Sequence, residues 1–325
     1  MKIATIAALA AASGIAATPV PSVAQDKAQV FTPVGQWSVD YGDDYCRLAR
    51  NFSSGGETLA LAFERIAPGP LMRMIVVSDA IKPFRGVLTV GWHFVPSGSE
   101  RQAFFFMSQT PDGKAYFNLG MVGLEALGDG TAGSAVVRGP LPPIVRRPTK
   151  TPPVYVPSPP YDRGKELATA KSLTGFVIDG GLAKAVEVDT GDLAQAIGAL
   201  QTCADDLAKT WGLDQAQLQA QQTPPIPEGG GVGWLPKETF APTDFAKLGG
   251  GSNQVRLMVD AMGKPTACAI HLATLDPATN AKICKALMAS AKFTPAKDAN
   301  GQAIPSYWVG RPGSLVSPFG AGRKG

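Results

Sequence analysis

The sequence predicts an α+β fold, in which a β-rich N-terminal domain with one long C-terminal helix is followed by a small ββαβ domain. Three observations support this. Short segments with alternating apolar residues, separated by Gly and Pro, fill much of the first half and indicate strands. One long amphipathic run follows residue 189. A strand, turn, strand, helix, strand pattern between residues 255 and 309 then closes the chain.

The strands of the N-terminal domain are expected from Gln36 onward, because residues 25–36 have the composition of a flexible lead. Gln36 to Tyr41 and Thr58 to Ile66 alternate between apolar and polar residues, as a half-buried strand does. Further strand candidates are the runs 71–77, 86–94, 103–107, 115–119, 175–178 and 185–188.

The amphipathic run after residue 189 predicts the long helix of this domain. Its apolar residues recur at intervals of three and four, which places them on one helix face. These residues are Leu193, Ile197, Leu200, Ala204, Leu207 and Trp211. Asp189 or Thr190 can cap the helix start, and Asp192 suits its first turn.

Residues 139–164 form a proline-rich insertion, with nine prolines between positions 140 and 160. Proline lacks a backbone donor and fixes φ, so this density favours extended polyproline II structure over a sheet. The segment is either a ligand for a proline-binding partner or a stiff exposed loop, and the loop is the simpler interpretation.

A second break in periodicity marks the domain boundary. Pro224, Pro225, Pro227, Pro236 and the run Gly229–Gly231 have a linker composition, so residues 223–239 are predicted to join two domains. The N-terminal domain then covers residues 25–222, the small domain residues 240–312, and a tail residues 313–325.

The chain begins with the pattern of a signal peptide. Met1 and Lys2 precede an apolar run, and Ser22-Val23-Ala24 offers the small residues of a cleavage site, so residues 1–24 are expected to be removed. No later apolar run approaches the length of a membrane-spanning helix. The mature protein is therefore expected to be periplasmic or secreted.

Four cysteines in an exported chain favour disulfides over metal or thiol chemistry. Four cysteines allow three pairings. Cys268 and Cys284 both lie in the small domain, on a strand and on a helix that face each other, which leaves Cys46 to pair with Cys203.

The small domain shows the alternation of a strand and the start signal of a helix. Val255, Leu257 and Val259 alternate on one strand face, and Pro277 after Asp276 is a strong helix start. The last strand is expected at 304–309. Pro305 cannot donate into a central ladder, so this strand is predicted to lie at a sheet edge.

The region 240–309 resembles the C-terminal domain of TonB-type energy transducers, small periplasmic modules that contact outer-membrane receptors. The resemblance rests on the motif Val255-x-Leu257-x-Val259-Asp260 with Gly263, the strand of Cys268, the helix end at Ala291-Lys292-Phe293, then Pro295-Ala296 and the turn 298–301. It covers roughly a fifth of the chain and implies a binding domain that adds an extended peptide to its edge strand. Residues 37–52 and 200–214 also resemble uncharacterised exported bacterial proteins that combine a cysteine-containing β-rich domain with a TonB-like one.

The sequence contains no pattern of a catalytic site. Its two histidines, His93 and His271, fall in no nucleophile elbow, zinc motif or cysteine–histidine spacing, and both are expected to be structural or solvated. The run Gly229–Gly231 is followed by neither a lysine–serine pair nor a helix start, which argues against a phosphate loop. We therefore expect no enzyme, no metal, no cofactor and no nucleic-acid partner.

These inferences predict an exported envelope protein that binds an outer-membrane receptor or a periplasmic protein by edge-strand addition. The residues expected to form the binding edge are Ile304, Ser306, Tyr307 and Trp308. The alternative is a rigid periplasmic scaffold, in which the TonB-like domain docks on its own N-terminal domain and has no transport role.

Overall fold

The computed structural model describes residues 27–87, 89–96, 98–104, 108–110, 112–124, 161–231, 234–235, 254–271 and 277–310. The expected signal peptide, the proline-rich insertion up to residue 160, most of the second half of the linker and the tail lie outside these residues. Strands predominate over helices, so the α+β class with a large N-terminal β-sheet is confirmed.

The N-terminal domain is built on one ten-stranded sheet in the order β6-β5-β9-β10-β1-β2-β3-β4-β8-β7. Its strands are β1 (Gln29–Tyr41), β2 (Cys46–Ser54), β3 (Glu57–Arg65), β4 (Met72–Val77), β5 (Thr89–Val95), β6 (Arg101–Phe104), β7 (Ser108–Gln109), β8 (Ala115–Val122), β9 (Gly175–Gly180) and β10 (Val186–Asp189). β6 lies beside β8, so the two ends of the sheet approach each other around a common core.

The long strand β1 joins the two halves of this sheet. Its first residues, from Gln29 to Phe31, pair in parallel with β10, and those from Thr32 onward pair in antiparallel fashion with β2. The prediction of a flexible lead up to residue 36 was therefore wrong. Phe31 is completely buried, and this one apolar anchor holds a segment in which Val30 and the residues 32–36 are exposed.

Three helices accompany the sheet: α1 (Arg163–Ser172), α2 (Ala194–Thr210) and α3 (Gln215–Ala220). α2 is the predicted long helix, and Ile197, Leu200, Ala204 and Leu207 of its predicted stripe are buried. It begins at Ala194, whose N–H donates to Asp192, so neither Asp189 nor Thr190 caps it. α1 and α3 were not predicted; α1 starts at the end of the predicted insertion, where Asp162 caps it.

The C-terminal elements form the expected order of two strands, a helix and a strand, with short strands added around it. They are β11 (Gln221–Thr223), β12 (Ile226–Pro227), β13 (Gln254–Val259), β14 (Pro265–His271), α4 (Pro277–Ser290), β15 (Phe293–Thr294), β16 (Ala296–Asp298), β17 (Ala303–Ile304) and β18 (Ser306–Gly310). β14, β13 and β18 make a three-stranded antiparallel sheet with β13 in the centre.

The segment predicted as a linker begins with regular structure. β11 pairs with β16 and β12 pairs with β15, so residues 221–227 are tied to the C-terminal module, the unit formed by residues 254–310. Prolines here act as ends of very short strands, which composition cannot distinguish from a loose connection.

The two parts of the chain, the N-terminal domain and the C-terminal module, each have an apolar core and a disulfide of their own. Cys46 at the start of β2 is bonded to Cys203 of α2, and Cys268 of β14 is bonded to Cys284 of α4. This is the pairing expected from the sequence. The second core contains Val255, Leu257, Ile283 and Leu287, with Trp234 packed among them. Among the described helices, none has the length and apolar character needed to cross a bilayer.

Candidate functional site

The sheet of the C-terminal module is covered on both faces. Val255 and Leu257 of β13 point towards α4 in the module core, whereas Arg256 between them points the other way, towards the N-terminal domain. The alternation of side chains along a strand thus gives one face to the module core and the other to an interface between the two parts of the chain.

Arg256 is the central contact of this interface. Its guanidinium donates to Asp44 at 2.7 Å and to the carbonyl of Ile66 at 3.4 Å. The same group stacks over the ring of Trp211, with 3.7 Å between the guanidinium carbon and the ring centroid. A planar cation that is both stacked and hydrogen-bonded is held in one orientation, so it fixes the module against the segments just before β2, just after β3 and just after α2.

Tyr307 of β18 provides the second anchor. Its hydroxyl donates to the carbonyl of Pro68, and its ring meets Trp211 edge to face at 5.8 Å. Burial raises the pKa of Tyr307, so the hydroxyl keeps its proton and remains a donor at all ordinary pH values.

A third group of contacts surrounds the buried carboxylate of Glu64. Glu64 forms ion pairs with Arg47, at 2.6 Å, and with Arg73, and His271 Nε2 lies 3.8 Å from it. Burial and the nearby guanidinium groups of Arg73 and Arg256 lower the pKa of His271 to about 3, so the ring is neutral and this contact is not an ion pair at neutral pH. Desolvation by burial likewise lowers the pKa of Arg73 to about 10, which leaves it charged.

The side chains of the predicted binding edge are engaged within the protein. Ile304 is buried in β17, and Ser306 is buried with its hydroxyl donating to Gln221 Oε1 at 2.6 Å. Trp308 packs in the module core, 5.5 Å from Trp234 between ring centroids. Together with Tyr307, these residues hold the strand in place and leave mainly its backbone for other contacts.

The backbone of β18 has one free edge within the described residues. Asp260 N–H donates to Lys264 on the β14 side, and Thr266 Oγ1 donates to the carbonyl of Met258. The backbone N–H and C=O groups of even-numbered residues of β13 therefore point towards β14. Those of odd-numbered residues point towards β18, because successive backbone groups of a strand alternate between its two edges. By register, Ser306, Trp308 and Gly310 bond to β13, which leaves the backbone groups of Tyr307 and Val309 pointing outward.

This free edge borders a cleft of about 930 Å³ between the two parts of the chain. Tyr307, Trp308 and Val309 all line the cleft although their side chains alternate between the sheet faces, which means that the strand edge itself faces the space. The opposite walls come from the loop 66–71, from α2 and α3, and from residues 221–225. A volume of this size lies at the upper end of ordinary ligand sites.

The polar groups at the floor of the cleft are bonded to one another. Arg65 pairs with Glu166, and both side chains are almost completely buried. Tyr161 accepts from Arg65 and donates to Glu166, while Gln201 donates to Tyr161 and Glu166. Such a closed network stabilises the walls of the cleft.

The other residues singled out in the sequence are not brought to this cleft. His93 Nδ1 lies 4.0 Å from Asp179 on a neighbouring strand, at a partly exposed position. Within the described residues there is no cluster of His, Cys, Asp or Glu that could hold a metal ion.

Sequence reasoning identified the edge strand but missed the cleft. Pro305, the signal for the edge, lies between β17 and β18, so the strand predicted at 304–309 is in fact two strands, and Ile304 belongs to β17. The walls at Pro68, Gln201 and Leu218 come together only through the tertiary fold. Comparison of this chain with protein-family models, with curated proteins and with solved structures found no match.

Proposed function

We propose that this protein is a binding protein of the cell envelope that takes an extended segment of a partner protein as an additional strand beside β18. The observation that carries the proposal is the outward-facing backbone of Tyr307 and Val309 at the border of a roomy cleft. Main-chain groups of an edge strand bind an extended peptide, and the walls of a neighbouring groove select its side chains.

Two further observations support an envelope location and a protein partner. Both disulfides fit an oxidising compartment, such as the periplasm or the cell exterior. The resemblance of residues 240–309 to TonB C-terminal domains suggests an outer-membrane receptor or another periplasmic protein as the partner.

A rigid scaffold is the second candidate, and the interface itself favours it. Arg256, Tyr307 and Ser306 are all engaged within the chain, as expected of a module that docks permanently on its own N-terminal domain. In this alternative the cleft receives no external peptide. The two candidates share the docked arrangement and differ in whether the edge of β18 is used.

A titration of the intact, isotopically labelled protein with capped extended peptides distinguishes the two candidates. Binding by strand addition should shift the amide resonances of residues 306–310 and slow the hydrogen exchange of the Val309 N–H, because that donor becomes bonded. A well-dispersed spectrum that does not change at millimolar peptide would support the scaffold.

Val309→Pro tests the edge directly. Proline removes one outward donor, and an edge strand tolerates this because the ladder to β13 does not use that N–H. We expect at least a tenfold loss of peptide affinity with the thermal unfolding midpoint little changed. Val309→Thr is the matched control, since it keeps the N–H and the β-branched shape. Equal binding by the proline and threonine variants would contradict strand addition at this edge.

A further inference from the structure

The cleft beside β18 also indicates which kind of peptide it takes. We propose that the segment bound there is uncharged, with small apolar and neutral polar side chains and no Asp, Glu, Lys or Arg in the part that enters the cleft. This inference rests on the proposed strand addition and adds a substrate class to it.

Each charged side chain that lines the cleft is already engaged with another group of the protein. Five charged side chains line the cleft: Glu64, Arg65, Asp162, Arg163 and Asp205. Arg163 pairs with Asp205 at 2.5 Å, and Arg65 pairs with Glu166. Glu64 is held between Arg47 and Arg73, and Asp162 accepts from the N–H of Lys165 at the start of α1.

A charged group on the ligand would therefore meet lining charges that are already engaged within the protein. It would have to leave water without a partner, or displace one member of an internal pair and leave the other member uncompensated. Both outcomes weaken binding, and the second also disturbs the cleft wall. Neither sign of charge is favoured, because the lining pairs contain both.

Three glutamine side chains of the lining remain available for hydrogen bonding. The side chains of Gln215, Gln219 and Gln222 line the cleft and make no hydrogen bond to other described residues. A primary amide can both donate and accept, so it matches a peptide backbone or a Thr, Ser, Asn or Gln side chain without carrying charge.

The apolar part of the lining sets the other half of the preference. Leu218, Val309 and the prolines Pro68, Pro70 and Pro224 border the cleft, and Leu71 at its rim has 54% of its surface exposed. Side chains of an added strand alternate between two sides. A sequence of Thr or Gln alternating with Val would therefore place compact side chains against these walls.

The test uses the intact protein and three capped heptapeptides that differ at one central position. The neutral peptide is acetyl-VTVQVTV-amide, and in the other two Gln is replaced by Glu or by Lys. We expect the neutral peptide to bind at least tenfold more tightly than either charged one. Its affinity should change by less than about twofold between 50 and 500 mM salt, because little charge interaction is screened.

Variants of α3 supply a matched control. Gln219→Glu places a carboxylate in the cleft and should raise the relative affinity for the Lys peptide at least fivefold. Gln217→Glu adds the same charge on the same short helix, at an exposed position outside the cleft lining, and should leave the order of the three peptides unchanged.

The outcomes separate this inference from the proposed function. Equal binding of all three peptides, or tighter binding of a charged one, would overturn the preference for an uncharged segment while still supporting strand addition. No binding of any of the three would overturn both.

Discussion

At the scale of single residues, burial converts ordinary polar side chains into parts of a fixed interface. His271 shows this most clearly. Its ring lies beside Glu64, Arg73, Arg256, Arg47 and Asp44 and packs near Tyr45, with 6.1 Å between the ring centroids. The loss of solvent, which is the larger cause, and the guanidinium groups outweigh the nearby carboxylates, so the imidazole stays neutral well below its usual pKa.

This lowered pKa predicts a specific loss of stability in acid. The unfolded chain takes up a proton near the ordinary value of 6.5, whereas the folded state does so only near 3. The stability that the neutral His271 ring allows is therefore fully present above pH 6.5. It is lost as the pH falls towards 3, when the free energy of unfolding decreases by up to about 1.4 kcal/mol per pH unit. His271→Gln cannot titrate. The wild type should lose about 2 to 3 kcal/mol more than this variant between pH 6.5 and 4.5 in urea unfolding.

A direct measurement can check the same prediction. The imidazole resonances of His271 should keep the chemical shifts of the neutral ring down to about pH 4. If the free energy of unfolding fell equally with pH in the wild type and in the variant, the assignment of His271 to a dry interface would be contradicted. A titration of this ring near pH 6.5 would contradict it as well.

At the scale of elements, the two disulfides close loops of very different length. Cys46–Cys203 spans 157 residues and holds α2 against the start of β2, whereas Cys268–Cys284 spans 16 residues and holds α4 against β14. Removal of a cross-link increases the entropy of the unfolded chain, and the increase grows with loop length.

The double variant Cys46→Ala/Cys203→Ala should therefore lose more stability than Cys268→Ala/Cys284→Ala. The loop model gives about 5 kcal/mol for the first pair and about 3 kcal/mol for the second, before any relief of strain. Denaturant unfolding of both variants under the same conditions measures the order. A larger loss for the short-loop pair would show that packing of α4, and not chain entropy, determines the cost.

Local patterns predicted most of these elements, and their failures have physical causes. The buried stripe of α2 and the ββαβ order could be predicted because each follows from spacing within one segment. The start of β1 and the strands β11 and β12 could not, because they pair with partners far along the chain. The cleft was missed for the same reason, since Leu71, Gln201 and Val309 meet only in the folded molecule.

At the scale of the whole molecule, docking of the C-terminal module on the N-terminal domain joins two parts of the chain that no disulfide connects. Both cysteines of one bond precede residue 204 and both cysteines of the other follow residue 267. Between them, Gly229 and Gly230 adopt left-handed backbone conformations in an exposed turn. A break in the chain at this turn would leave the two parts held by the contacts of Arg256, Tyr307, Ser306 and His271, and by the pairing of β11 and β12 with the C-terminal module.

When a protease site is inserted after Gly230 and cleaved, the two fragments should consequently remain associated in solution. We expect the two fragments to elute together in gel filtration at moderate salt without a reductant, because the interface combines the Arg256–Asp44 ion pair, aromatic packing and two short sheets. Arg256→Glu brings a carboxylate against Asp44 and removes the cation stacked on Trp211, so the cleaved variant should separate into two fragments. Lys285→Glu makes the same charge change on an exposed position of α4 and is the control. Separate elution of the unmodified fragments would mean that the docked arrangement depends on the covalent connection, and the cleft beside β18 would then not be a preformed site.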